Sequence, residues 1–290
     1  MSLRVIEVTG VTLVEDLGRP GRSALGVAPS GTFDRTAMRQ ANALLGNRPV
    51  DAVLEVIGAL TVRATRPVTL VVTGAPGPLD IDGRPCPHGR VLRLRAGAFL
   101  GVSPATVGVR RVLAVAGGIA SAPVLGSRSR DLLAGLGPEP VRPGDLLPVG
   151  LAPAAPPSPL PDDLGPLLLG AVGDLTVRAV PGPRDDWFTP EAVAMFFGTP
   201  WTVSERSDRI GVRLDGPALE RAVTAELASE PVVRGSIQVT SAGLPVVLGP
   251  DHPVTGGYPV IAVLLDHDTD LLAQAAPGRI VRFARHPLPG

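Results

Sequence analysis

Three polar, glycine-rich stretches hold the residues of this 290-residue sequence whose types and spacing best suit chemistry. The first is Asp16-Leu17-Gly18-Arg19-Pro20-Gly21, followed by Pro29-Ser30-Gly31-Thr32-Phe33-Asp34. Closely spaced glycines such as Gly18 and Gly21, with Gly31 in the following segment, let the backbone approach a ligand and aim N–H groups at it. Arg19 offers a forked donor for a carboxylate or phosphate. Ser30 and Asp34 stand at a helix N-terminus, where the dipole favours an anion or a polarised carbonyl. The same residues also read as two turns and an ordinary capping aspartate. The second stretch, Asp251-His252-Pro253-Val254-Thr255-Gly256-Gly257-Tyr258-Pro259, contains the single tyrosine of the chain. Consecutive N–H groups at Gly256 and Gly257 can converge on one oxygen and stabilise a developing oxyanion. Asp251 suits a base, His252 a proton relay and the Tyr258 hydroxyl a donor. The bland alternative is a hairpin whose aromatic residue plugs the end of a barrel. The third stretch is Ser204-Glu205-Arg206-Ser207-Asp208-Arg209-Ile210-Gly211. Its charges either pair with each other on a solvated surface, or Arg209 reaches a substrate carboxylate.

Other features exclude more than they suggest. All 27 basic residues are arginine, so the chain offers no Schiff-base lysine, no phosphate-loop lysine and no attachment point for biotin. Any swinging-arm cofactor must then belong to another protein. No Gly-x-Ser-x-Gly elbow and no Cys-x-x-Cys pair occur. Cys86-Pro87-His88 reads as a surface turn, and His267 between Asp266 and Asp268 as the start of a helix, so no metal site is expected. The formal net charge is zero, which argues against nucleic acid as a partner. The lone Cys86 rules out an internal disulfide and fits a reducing cytoplasm. No apolar run reaches the roughly 18–20 residues of a membrane span, and the early Glu7 argues against a secretory leader.

Glycine (35) and proline (33) punctuate short apolar runs, so many strands joined by tight turns must position these stretches. Strands are expected over 3–8, 52–57, 67–73, 91–95, 111–116, 175–180, 244–248, 260–265 and 279–283. Three of them share one approach, a glycine turn entering a strand, at Gly89, Gly144 and Gly278. Helices are expected over 34–45, stopped by Gly46; from the Thr189-Pro190-Glu191 cap through Phe197, stopped by Gly198; and over 268–276. The Ala- and Pro-rich residues 151–166 read as a linker or surface crossover between an N-terminal β-rich lobe, 1–150, and a C-terminal lobe, 167–290. The class is mainly β with a few short helices.

Several motifs, in order along the chain, carry a resemblance. They are Glu15-Asp16-Leu17-Gly18-Arg19-Pro20-Gly21, Pro29-Ser30-Gly31-Thr32-Phe33-Asp34, Ala41-Asn42-Ala43-Leu44-Leu45-Gly46-Asn47 and Leu54-Glu55. Val115-Ala116-Gly117-Gly118-Ile119, Val124-Leu125-Gly126-Ser127-Arg128-Ser129 and Pro181-Gly182-Pro183 follow. The last are Ser207-Asp208-Arg209-Ile210-Gly211, Gly235-Ser236-Ile237-Gln238-Val239 and Thr255-Gly256-Gly257-Tyr258-Pro259. The chain resembles the KipA-type family, also described as the C subunit of 5-oxoprolinase, allophanate hydrolase subunit 2 or biotin-dependent carboxyltransferase. Ile210 departs from it, where the family often has methionine. The resemblance implies a cyclophilin-like β-barrel architecture in two lobes and a heteromeric enzyme acting on 5-oxoproline or a urea-like amide. It implies a KipI-type smaller subunit (the B subunit of 5-oxoprolinase, or allophanate hydrolase subunit 1) as partner, with the lactam-utilisation (A) subunit as a third component. ATP would be held by the complex, and carboxybiotin, if used, delivered by another protein. Such a protein is expected to be inactive alone. A rival reading is a KipA-like regulator that antagonises a KipI-type kinase inhibitor. The expected catalytic residues are Asp34, Asp251 and Tyr258; the expected substrate-binding residues are Arg19, Ser30, Gly31, Asn42, Arg209, Thr255, Gly256 and Gly257. Together they are expected to wall one polar cleft completed by a second polypeptide.

Overall fold

A computed structural model describes residues 2–153 and 173–287. The described residues hold eighteen strands and three α-helices, so the chain is mainly β with short helices, as its glycine–proline punctuation requires. They form two compact units. One takes residues 2–19, 30–131 and 135–153; the other takes 20–29, 132–134 and 173–287. Composition places a boundary near residue 150 but gives no sign that the short excursions 20–29 and 132–134 group with the second unit. Residues 154–166 of the expected linker, and 167–172 and 288–290 of the expected C-terminal lobe, lie outside the described residues.

The first unit is built on an open nine-stranded sheet. Its strands are β1 (Ser2–Glu15), β2 (Val53–Ala64), β3 (Val68–Gly74), β4 (Leu79–Ile81), β5 (Arg84–Pro85), β6 (Leu92–Leu94), β7 (Phe99–Val102), β8 (Arg111–Val115) and β9 (Leu146–Pro148). The main path runs β5-β4-β7-β2-β8-β3-β6, while β1 pairs with β2 and β9. The long β1–β2 ribbon continues past the expected strand ends because Gly10 and Gly58 face each other across it. Both have positive φ, and a Cβ on either would lie 2.4 Å or less from the opposite backbone. Every residue of β8 is buried, because one face of the sheet meets the main core and the other is covered by helix α1 (Arg35–Leu45). Ala37, Met38, Ala41 and Leu45 form the helix stripe that packs on Val53, Val71, Val112 and Ala114. Gly46, in the left-handed conformation, closes the helix as its sequence signals.

The second unit contains a closed barrel of seven strands, ordered β10-β17-β14-β15-β12-β11-β18. These are β10 (Leu175–Pro181), β11 (Trp201–Val203), β12 (Gly211–Asp215), β14 (Ser236–Val239), β15 (Pro245–Leu248), β17 (Val260–Leu264) and β18 (Ile280–Arg285). A two-stranded ribbon pairs β13 (Glu230–Pro231) with β16 (Thr255–Gly256). Of the three strands entered from a glycine turn, β18 closes the barrel by pairing with both β10 and β11, while β6 and β9 lie in the open sheet. Helix α2 (Pro190–Gly198) is capped by Thr189 as expected, but Gly198 is its last helical residue and Thr199 ends it. Helix α3 (Asp266–Leu272) starts two residues before the expected 268 and stops well short of 276. The aromatic cluster of the barrel is Phe196, stacked on Phe283 at 4.6 Å, with the Trp201 indole donating to the Phe196 carbonyl at 3.0 Å.

Candidate functional site

In the first unit, the two glycine-rich segments are locked to each other. The buried Asp16 carboxylate accepts from the Gly18 and Arg128 N–H groups, both at 2.7 Å, and from the hydroxyls of Ser127 (2.5 Å) and Ser129 (2.7 Å). Gly31 packs over the same loop, where a Cβ would lie 2.9 Å from the Gly18 nitrogen and the Leu17 carbonyl carbon, and its φ is +97°. Ser30, also at positive φ, donates from its hydroxyl to the Arg130 carbonyl at 3.1 Å. The buried Glu55 carboxylate accepts from the Thr32 hydroxyl at 3.1 Å and the Phe33 N–H at 2.7 Å. Arg110 lies 3.5 Å from the same carboxylate and 4.4 Å over the Phe33 ring.

The charged candidates here face inward. Arg19 is 2% exposed and spends its guanidinium on the carbonyls of Ser129 and Val124, beside Asp131 at 3.8 Å. It holds the 124–131 loop rather than presenting an open fork. Asp34 is fully buried and accepts from the Ala37 N–H at 2.8 Å, the bond expected of a helix cap. Asn42 donates to the Asp51 carbonyl at 2.9 Å and accepts from Asn47 at 3.0 Å. Asn47 in turn holds the turn after β8, through the Val115 carbonyl and the Gly117 N–H, both at 2.8 Å.

In the second unit the structure brings Arg209 and Asp251 together. The guanidinium meets both carboxylate oxygens, Nε at 2.9 Å and Nη2 at 3.2 Å, with both side chains buried. The Leu132 N–H adds a third bond to Asp251 at 3.1 Å. The charges of 204–211 therefore do not satisfy one another. Arg209 pairs with Asp251, Arg206 lies 3.8 Å from Asp215, and Asp208 accepts from the Ile210 and Gly211 N–H groups.

From Asp251 the chain runs directly into the lining of a small cleft. His252 and Val254 line this cleft of about 230 Å³ with Ser23, Pro29, Val232 and Arg234. The His252 Nδ1 sits 2.7 Å from the Pro253 carbonyl, which can only accept, so the neutral ring carries its proton on Nδ1. Arg234 divides its charge between Asp266 at 2.7 Å and Asp270 at 2.6 Å. Thr255 and Gly256 then form β16, and Gly257 and Tyr258 turn outward, Tyr258 being 43% exposed. Phe196 and Trp201 are fully buried, and this tyrosine is not part of their cluster.

Of the expected donor pair, Gly256 lies in the β13–β16 ribbon and Gly257 follows it in the bend. Gly256 belongs to the ribbon opposite Glu230, and its missing side chain is required by Gln238, whose Nε2 lies 2.4 Å from where a Cβ would stand. That amide donates to the Tyr258 carbonyl at 3.1 Å and so fixes the turn. Glu230 is held by Arg184, whose hydrogen bond keeps its carboxyl below the usual carboxylate range. Gln238 and Arg234 are not among the expected site residues. The signal for Gln238 is a glutamine in the middle of an otherwise small and apolar strand, Ser236-Ile237-Gln238-Val239, whose residues are all buried. Among the described residues no group of three or more His, Cys, Asp or Glu is placed to hold a metal ion, and no helix is long and apolar enough to cross a membrane.

The sequence and the fold are shared with known proteins. Residues 25–285 match the family described as carboxyltransferase domain, subdomain A and B. Over 287 residues the chain is 36% identical to the C subunit of 5-oxoprolinase from Escherichia coli strain K12, covering 98% of this chain and 91% of that one. It is 29% identical to urea amidolyase of Lachancea kluyveri, across 94% of this chain but 16% of that protein. The crystal structure of Kluyveromyces lactis urea amidolyase superposes with a TM-score of 0.92 at 26% identity, over 98% of this chain and 18% of that chain. The chain thus spans less than a fifth of these urea amidolyases, and nearly the whole of the oxoprolinase subunit.

Proposed function

Because the chain belongs to the carboxyltransferase family of subdomains A and B, we propose that it is one subunit of a heteromeric, ATP-dependent enzyme that opens 5-oxoproline. The observation that carries this reading is the higher sequence identity, 36% over 98% of this chain to the C subunit of a 5-oxoprolinase, against 29% over 94% of it to urea amidolyase. A KipI-type smaller subunit and a lactam-utilisation subunit are the partners this reading requires, and the chain alone is inactive in it. The chain has no lysine, so neither a phosphate-loop contact to ATP nor a biotin attachment is supplied here, and both groups belong to partner proteins in this account.

The cleft lined by His252 and Val254 is assigned to substrate, and the exposed Gly257–Tyr258 turn that follows in the chain to the polarised carbonyl. The cleft is below the roughly 300 Å³ at which drug-sized pockets begin, which suits a small metabolite. The amide must have its carbonyl polarised while water is kept away. Tyr258 is the exposed hydroxyl that can donate to that oxygen, with the Gly257 N–H beside it. Arg209 and Asp251 act by positioning, since each occupies the other and neither is open to a ligand. Arg19, Ser30, Gly31, Asp34 and Asn42 are assigned to the scaffold of the first unit, and Thr255 and Gly256 to the ribbon that carries the tyrosine.

A second reading, carboxyl transfer to a urea-like acceptor, is favoured by the 0.92 superposition on urea amidolyase. Kinetics of the reconstituted complex test the assignment. Tyr258→Phe should lower kcat by tenfold or more with the complex intact, equivalent to about 1.4 kcal/mol of lost transition-state stabilisation. A change within threefold removes Tyr258 from the chemistry.

A further inference from the structure

The open sheet of the first unit has two terminal strands. β5 and β6 lie at opposite ends of its main path, and each has one partner, β4 and β3 respectively. Yet Arg84 and Pro85 of β5 and Arg93 of β6 line the same groove of about 680 Å³, together with Cys86 and Arg95. The sheet therefore curls until its two ends flank one seam, as in a barrel lacking its closing strand. On each end strand one side of the backbone points away from its sole partner and toward that seam.

The seam is basic in a chain of zero net charge. Three arginines line it against one acid, Asp82. Arg95 reaches Asp82 at 3.7 Å with most of its side chain in solvent, and Arg84 and Arg93 make no ion pair among the described residues. The remaining lining is Ile81, Pro85, Cys86 and Ala98, with no aromatic face on which a nucleotide base could stack.

We propose that this seam is a docking site for an extended acidic segment of another polypeptide, which enters as an added strand between β5 and β6. Main-chain hydrogen bonds to the open strand edges supply affinity. Carboxylates set against Arg84, Arg93 and Arg95 supply selectivity, since arginine forks match carboxylates two bonds at a time. Pro85 removes one donor from β5, so β6 carries the fuller pairing. The proposal rests on this sheet alone and is independent of the assigned enzymatic role.

Cys86 is the only thiol of the chain and lies in the groove, so its rate of reaction with a disulfide reagent reports occupancy. The full chain is titrated with an alternating glutamate–valine hexapeptide, by calorimetry and by thiol modification. The expected result is salt-sensitive binding, at least fivefold slower modification of Cys86 at saturation, and loss of both in an Arg84→Glu, Arg93→Glu, Arg95→Glu variant with an unchanged melting temperature. An Arg84→Gln, Arg93→Gln, Arg95→Gln variant should bind with intermediate strength. No binding, or equal binding by the charge-reversed variant, overturns the proposal and leaves the arginines as guards against edge-to-edge association. Equal protection of Cys86 by inorganic triphosphate overturns it in favour of a simple polyanion site. Concentration-dependent dimers that protect Cys86 without peptide overturn it in favour of a second copy of the chain.

Discussion

Arg209 and Asp251 illustrate how a reactive-looking pair can serve as structure. Each side chain is buried, and their two parallel bonds satisfy charges that would otherwise be stranded away from water. Arg209→Ala should therefore destabilise the second unit by about 3–5 kcal/mol, the usual result of leaving one buried charge without its partner. Chemical denaturation measures this, and a loss below about 1 kcal/mol would mean that the pair is solvated in solution. Gly31 offers a second test at this scale. Its φ of +97° and the 2.9 Å approach of the 17–18 backbone leave no room for a methyl group. Gly31→Ala should destabilise the first unit by more than about 1 kcal/mol, read from its denaturation midpoint. The residue types at both places were legible in the sequence. Their partners were not, because Arg209 and Asp251, 42 residues apart in the chain, are joined by the pairing of β12 with β15, and Arg19 finds its acceptors more than a hundred residues away in the 124–131 loop.

Elements with strong local signals could be read from the sequence, and elements held by distant neighbours could not. Helix α1 carries its cap, its apolar stripe and its closing glycine within thirteen residues, 34–46, and forms where expected. The short strands β4, β5, β13 and β16 have too few residues for a period-two pattern and exist through their partners. Helix α3 is anchored from outside at its first turn, by a partner 90 residues away in the chain. Arg178 donates to Asp268 from Nε, Nη2 and its backbone N–H, at 3.0, 2.6 and 2.5 Å. Burial opposes ionisation of Asp268, but the hydrogen bonds and charge of Arg178 prevail and hold its carboxyl below the usual range. A carboxyl depressed in the folded state stabilises the fold above its unfolded value of about 3.9, and that contribution disappears as pH falls through the folded value. The melting temperature should accordingly drop below about pH 5, and Asp268→Asn should flatten that part of the profile. An unchanged profile in the variant would assign the acid sensitivity elsewhere. The β13–β16 ribbon carries a functional prediction as well. Gly256→Ala must push the Gln238 amide off the Tyr258 carbonyl. Folding should survive, because a flexible side chain yields, while turnover of the complex falls at least severalfold. Unaltered turnover would detach the ribbon from the site.

At the scale of the whole molecule, the motifs in chain order identify the family. The mainly β class follows independently from the glycine–proline punctuation, and a seven-stranded barrel and a nine-stranded open sheet realise it. What composition did not signal is the exchange of 20–29 and 132–134 into the second unit, since neither segment differs in character from the loops around it. Leu132 shows the physical reason: its N–H is one of the bonds that hold Asp251. In the proposed role, this chain is an indispensable part of an amide-opening assembly and does no chemistry by itself. The most direct measurement is an omission experiment with purified subunits, 5-oxoproline and ATP, in which glutamate is quantified as each protein is left out in turn. Glutamate is expected from the full set, and none from this chain alone or from the set that lacks it. Undiminished glutamate without this chain, or carboxylation of urea in place of ring opening, would contradict the proposed role.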